Sequence, residues 1–184
     1  SKGGGIWVNG ALTLRNVLVQ NNGDTTSGDV DGAGIYAEND AVVDARDVEI
    51  RNNIASNGTD GGGLHIVSGA RVTLANVTIA DNQAGRGGGI YNNSNYTSLS
   101  NVTVSGNTAS AEGGGLWAAR TTTLEHVTVA GNSAPSGKGG GVFDTGWKIT
   151  TASSLFAGNS GGNANVALFS WGYNLSDDAS AGFT

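Results

Sequence analysis

The stretch AEGGGLWAARTTTLEHVTVAGN, residues 111–132, sets three glycines before a leucine and a tryptophan, then runs through two short segments of alternating apolar residues into Gly-Asn. Both halves recur. The first returns as KGGGIW, DGAGIY, DGGGLH, RGGGIY and KGGGVF, with its aliphatic anchor at Ile6, Ile35, Leu64, Ile90, Leu116 and Val142, in steps of 29, 29, 26, 26 and 26 residues. The second returns as LTLRNVLVQNN, VVDARDVEIRNN, VTLANVTIADN, TSLSNVTVSGN and ITTASSLFAGN. A period in the twenties marks a solenoid, in which one supersecondary unit stacks on the next and none is stable alone.

Composition selects the kind of solenoid. Of 184 residues, 32 are Gly and one is Pro, and Val, Ile, Thr and Asn dominate the rest with no run at helical spacing. The coils are therefore strands and turns. Coils of 26–29 residues with three short strands each fit a parallel β-helix better than a leucine-rich horseshoe, because no helical segment is left over. Six to seven coils are expected, with regular repeats over 1–160 and an atypical terminal coil or cap over 161–184, all in one domain. The net charge of −6, with nine scattered Lys and Arg, argues against a nucleic-acid footprint. No apolar run is long enough to span a bilayer. With no Cys, disulfides and thiolate metal sites are excluded. The chain has no initiator Met and no signal sequence, so a processed product or excised segment is expected.

Alternation within each strand predicts which side chains point inward. These form columns of Leu14, Ala45, Leu74, Leu99 and Leu124; of Val17, Val48, Val77, Val102 and Val127; and of Val19, Ile50, Ile79, Val104, Val129 and Phe156. Asn22, Asn53, Asn82, Asn107, Asn132 and Asn159 recur just after the last strand and predict an internal asparagine ladder at a bend, where Asn tolerates left-handed backbone and its amide can bond the amides above and below. Four residues before each anchor stand Lys2, Asp31, Asp60, Arg86, Glu112 and Lys138, a mostly alternating charge column. If the anchors point inward, the residues after them point outward: Trp7, Tyr36, His65, Tyr91, Trp117 and Phe143 form an exposed aromatic stripe. On this reading the glycine before the anchor, such as Gly115, lies outward beside the ring, and the middle one, Gly114, faces a narrow interior.

The GGGI and VxxN phrases, with FAGN at Phe156 to Asn159, resemble the GGA[ILV] and FxxN repeats of polymorphic outer membrane proteins. The closing GYNLSDDASAGFT is similar to the stretch that ends the solenoid in secreted bacterial proteins with a choice-of-anchor domain, save that Ala181 stands where that family often has Cys. The resemblance implies a right-handed parallel β-helix of the pectin-lyase-like type, extracellular or on a bacterial cell surface. A fold of this type carries lyases, hydrolases, adhesins and plain structural surfaces, so activity must be argued from sites.

Lyase chemistry needs acidic Ca²⁺ ligands with a basic residue on one face, and polygalacturonase-like chemistry needs paired carboxylates with a His and a basic clamp. Neither set occurs, and the balance is against an enzyme. His65 and His126 fall in different columns and read as surface substitutions. Asp24, Asp29 and Asp31 in GDTTSGDVD form a weak Ca²⁺ candidate without the ligand spacing of a known loop. Asp177 and Asp178 have no evident partner, no metal site stands out, and no cofactor is expected. The sequons at Asn57, Asn76, Asn95, Asn101 and Asn174 follow from an Asn- and Thr-rich repeat. Outward threonines lack the paired Thr-x-Thr that an ice-binding strand would need.

Two functions remain. One is a secreted or cell-surface structural and interaction module for adhesion, sheath or filament assembly. It would self-associate through its solenoid ends, since residue 3 already belongs to a repeat, or bind other surface proteins. The alternative is a polysaccharide-binding or pectate-lyase-like polysaccharide-cleaving protein, with sugar rings stacked along the aromatic stripe. Few polar residues flank that stripe, which favours plain cross-strand stacking.

Overall fold

Each glycine phrase enters a three-residue strand, and the six strands Ile6–Val8, Ile35–Ala37, Leu64–Ile66, Ile90–Asn92, Leu116–Ala118 and Val142–Asp144 stack in chain order as one parallel sheet. The computed structural model describes residues 3–23, 31–56, 58–146 and 148–184. Anchor pairs with anchor throughout, for example Leu64 with Ile90 and Leu116 with Val142. The second phrase builds the larger parallel sheet, and a short third sheet joins Gln83–Arg86 to Thr108–Glu112. The protein is an all-β parallel solenoid of about six turns. Among the described residues no helix is long and apolar enough to cross a membrane.

The alternation in the second phrase predicts two short strands, but in the middle coils it forms single ten-residue strands, Val42–Arg51, Arg71–Ala80 and Tyr96–Ser105. Asp47, Asn76 and Asn101 sit inside these strands at φ of 55°, 54° and 53°. One left-handed residue resets the side-chain alternation, so inward positions run Val43, Ala45, Val48 and Ile50, all at most 3% exposed. Asn, Asp, His and Ser fill this corner column at Asn16, Asp47, Asn76, Asn101, His126 and Ser153 because short polar side chains tolerate positive φ best.

A second left-handed column, Asn21, Asn52, Asp81, Gly106, Gly131 and Gly158, turns the chain before each ladder asparagine. The left-handed residue is thus the neighbour of the ladder Asn, which itself keeps ordinary φ. This frees the ladder side chain to point into the core. The inward columns form one continuous cluster from Val8 to Ala181. Full burial of each Val, Leu or Ile contributes about 1.5–3 kcal/mol before chain entropy is subtracted.

The glycine triplet has a different division of labour from the one expected. Gly113, the first of its triplet, has φ +65° and lies against the Trp117 backbone, where an added Cβ would come 2.9 Å from Trp117 Cα. A Cβ on Gly115 would instead meet Gly141 O at 2.6 Å and the Asn132 side-chain amide at 3.1 Å. Gly115 faces the asparagine ladder, not the outside, because the ladder amide occupies the space a side chain would need.

Candidate binding surface

The asparagine column is a chain of hydrogen bonds running one way along the solenoid. Asn53, Asn82, Asn107 and Asn132 each donate Nδ2–H to the Oδ1 of the next asparagine at 2.9–3.0 Å. The same Oδ1 atoms accept the backbone N–H of the preceding rung, and each Nδ2 also donates to a strand carbonyl of the coil before, such as Ile79 O from Asn107. Asn22 starts the column, bonded to Asn53 at 2.9 Å. Every amide donor and acceptor of the interior rungs is therefore used, as burial requires.

The column continues past Asn159 into Asn163, a rung outside the repeat spacing, whose Oδ1 accepts Asn159 Nδ2–H at 2.7 Å. Asn163 Nδ2 donates to Ser176 Oγ at 2.8 Å and to Asp177 Oδ1 at 2.7 Å, and its backbone N–H donates to Asp178 Oδ2. Asp177 and Asp178, for which the sequence showed no partner, thus terminate the ladder. A carboxylate only accepts, so it suits the donor end of a row of aligned amides. For Asp178, burial acts to raise the carboxyl pKa, but bonds from Ser180 and Asn163 outweigh it and hold the group below its ordinary value.

The residues after the anchors form a stack and not an open stripe. Ring centroids lie 4.7 Å apart for Tyr36 and His65, 4.7 Å for His65 and Tyr91, and 4.4 Å for Tyr91 and Trp117, the last pair within 2° of parallel. These four rings are 6–9% exposed. The rings cover one another's faces at the strand spacing, and the neighbouring charge column closes their side. Arg86 holds Asp60 through two bonds of 2.9 and 2.7 Å while its guanidinium lies 5.3 Å from the Tyr91 ring and 5.0 Å from that of Trp117. Glu112 accepts Trp117 Nε1–H at 3.2 Å and pairs with Lys138 at 3.1 Å. At the column's ends Trp7 is 52% exposed and Phe143 is half-buried, with Lys138 Nζ 5.9 Å from the Phe143 ring.

His65 Nδ1 lies 3.1 Å from the Asp60 carbonyl, which can only accept, so Nδ1 carries the proton of the neutral ring. Burial lowers the ring's pKa, against the Asp60 carbonyl bond and the nearby Asp31 and Asp60 charges, which raise it. His126 is exposed at a corner, in another column. The structure does not bring the two histidines together.

Of the Ca²⁺ candidates, Asp24 and Asp29 lie outside the described residues, as do Lys2 of the charge column and the sequon residue Asn57. Asp31 Oδ1 accepts the Asp60 backbone N–H at 2.8 Å. Among the described residues no group of three or more His, Cys, Asp or Glu is placed to hold a metal ion.

Trp7, Leu18, Val42 and Tyr96 are large apolar side chains exposed in earlier coils, but a further set lies together where no candidate had been named. Phe169, Trp171, Tyr173 and Leu175 alternate along the outside of the terminal coil, beside Leu155. As a sequence, NVALFSWGYNL, residues 165–175, is only more apolar and aromatic than the other turns. Its sidedness emerges once Phe169 is registered on Thr150 and Leu175 on Leu155.

A family model described as the right-handed beta helix region matches residues 4–176. No curated protein and no solved structure gives a significant match. The match spans nearly the whole chain and agrees with the stacked parallel strands, the repeated anchors and the internal ladder: the chain belongs to the right-handed β-helix family.

Proposed function

We propose that this protein is a structural and interaction module, secreted or displayed on a cell surface, that serves adhesion, sheath or filament assembly. The observation carrying this reading is the use made of its chemistry-bearing side chains. The aromatic column, the paired charges and the asparagine ladder are bonded from coil to coil along the rod. Such stitching gives a stiff scaffold whose sides are left for contact, the usual role of solenoid surfaces.

The polysaccharide alternative relied on the Trp7 to Phe143 stripe, and its four inner rings, stacked and 6–9% exposed, offer a sugar no platform, which leaves Trp7 and the half-buried Phe143 at opposite ends of the column. End-to-end stacking has less support than lateral contact on the C-terminal side. There Leu168 N–H donates to Ala181 O and Thr184 N–H to Leu168 O, and Phe183 packs 5.8 Å from Phe156, so residues 181–184 fold over the last coil.

Antibody labelling of intact and permeabilised cells of the producing organism tests the location. Labelling of intact cells is expected, and labelling only after permeabilisation would overturn the reading.

A further inference from the structure

The terminal coil is turned inside out relative to its neighbours. In the strands of the regular coils the inward side chains are mostly Leu, Val and Ile, with the ladder asparagines at the bend, while most Thr and Ser and the corner Asn residues face outward. Over residues 169–176 the outward positions are Phe169, Trp171, Tyr173 and Leu175, and the inward ones are Ser170, Asn174 and Ser176, with Gly172 an extra residue at which a Cβ would meet only open space. The inward set is bonded within the protein. Ser170 Oγ accepts from Asn174 Nδ2 at 2.8 Å, Asn174 Oδ1 accepts from Ser154 N at 2.9 Å, and Ser176 Oγ accepts from Asn163. The polar side chains of this strand are thus spent, and its outer face is left to rings and leucines.

Tyr173 sharpens the point. It occupies the corner column that elsewhere holds Asn, Asp, His or Ser, with φ of 59° and 94% of its surface exposed. A bulky side chain is a steric outlier in that region, and nothing within the chain covers this one to compensate. Strain held at an exposed site points to a role outside the fold.

Resting on the reading of the protein as an interaction module, we infer that the outer face of the terminal coil binds the same face of a second copy of this chain, side to side. With Trp171 and Leu175 each 65% exposed, Phe169 47% and Leu155 37%, the patch including Tyr173 covers about 600 Å² if full side chains present roughly 200 Å² each. That is at the upper limit for the largest apolar patch on a monomer. Paired with itself across a twofold axis it would bury about 1,200 Å², the low end for a specific interface and enough for a reversible dimer. A polysaccharide would need hydrogen-bonding side chains between the rings, and apart from the Tyr173 hydroxyl and the Trp171 indole N–H the polar groups of this strand are bonded within the protein. The adjacent Asp177 and Asp178 carboxylates are fixed in place by bonds from Gly158, Asn163 and Ser180, so their negative charge borders the apolar face at set positions.

Sedimentation velocity and light scattering on the full chain, from micromolar to millimolar concentration, test this. The mass is expected to double with concentration and stop there. Tyr173→Asn, which restores the ordinary corner residue, and Trp171→Thr are expected to remain monomeric, with Tyr173→Asn melting at the same temperature as the parent or higher. A monomer at every concentration overturns the inference, as does open-ended polymer that both variants still form, which would place association at the ends. Quenching of Trp171 fluorescence by soluble β-glucan or pectin oligomers, in a chain that stays monomeric, would assign the face to sugar instead. None of these results depends on where the protein resides, so the cell-labelling experiment fails or succeeds separately.

Discussion

Asn107→Ala removes one rung from the middle of the buried amide column. Asn107 Oδ1 accepts the backbone N–H and the Nδ2–H of Asn82, each at 3.0 Å, and its own Nδ2 donates to Ile79 O at 2.9 Å and Asn132 Oδ1 at 3.0 Å. Alanine leaves both Asn82 donors buried without an acceptor, at about 1–3 kcal/mol each, so the expected loss is about 2–6 kcal/mol before any cavity cost. A domain stable by about 5–15 kcal/mol would lose a large part of its margin. The control is Asn101→Gly on the exposed amide chain, where Asn101 Nδ2 donates to Asn76 Oδ1 at 2.8 Å and φ is 53°. Glycine adopts that φ freely, so the control is expected to change stability by no more than about 0.5 kcal/mol. Urea unfolding followed by circular dichroism gives both numbers. A loss below about 1 kcal/mol for Asn107→Ala, or one equal to the control, would refute the assignment of the ladder as a fold determinant.

Three further outcomes follow from the same contacts. The pKa of His65 is lowered by burial from its ordinary 6.5, so between the two values the unfolded chain holds a proton that the folded chain does not. Stability is therefore level above about pH 6.5 and falls as the pH drops below it; urea midpoints from pH 5 to 8 should show this slope in the parent and a shallower one in His65→Phe. Gly115→Ala places a Cβ 2.6 Å from Gly141 O and against the Asn132 amide, and thermal melting should report a loss of about 1–3 kcal/mol or more. Trp117→Ala deletes the ring stacked on Tyr91 and its bond to Glu112, and should cost about 3–5 kcal/mol in urea unfolding while leaving the concentration-dependent mass change in place.

The anchors and inward columns were legible because a strict period and strand alternation both mark the same residues, from Leu14 to Phe156. The ladder was legible as six asparagines at the same place in successive repeats, though its end was not: Asn163 falls outside that place, and its bonds to Ser176 and Asp177 come from a loop whose path no period records. The aromatic column was placed on the correct side of its strand and given the wrong exposure. Alternation says that Tyr91 points away from the core, but not that rings at 4.4–4.7 Å and the Arg86 guanidinium close over it. The left-handed corners left a trace in the Asn or Asp before Val17, Val48, Val77 and Val102, which passes for an ordinary polar position in a strand. Tyr173 left none, since only its registry with Ser153 shows that an aromatic ring occupies a corner.

Hydroxyl-radical footprinting with mass spectrometry, carried out on dilute and concentrated protein, tests the central claim most directly, because it reads side-chain accessibility residue by residue. Tyr36, Tyr91 and Trp117 are expected to be protected at every concentration, whereas Trp171 and Tyr173 label strongly in dilute solution and become protected as the protein is concentrated. Labelling of Tyr91 and Trp117 as strong as that of Tyr173, unchanged by concentration, would contradict it.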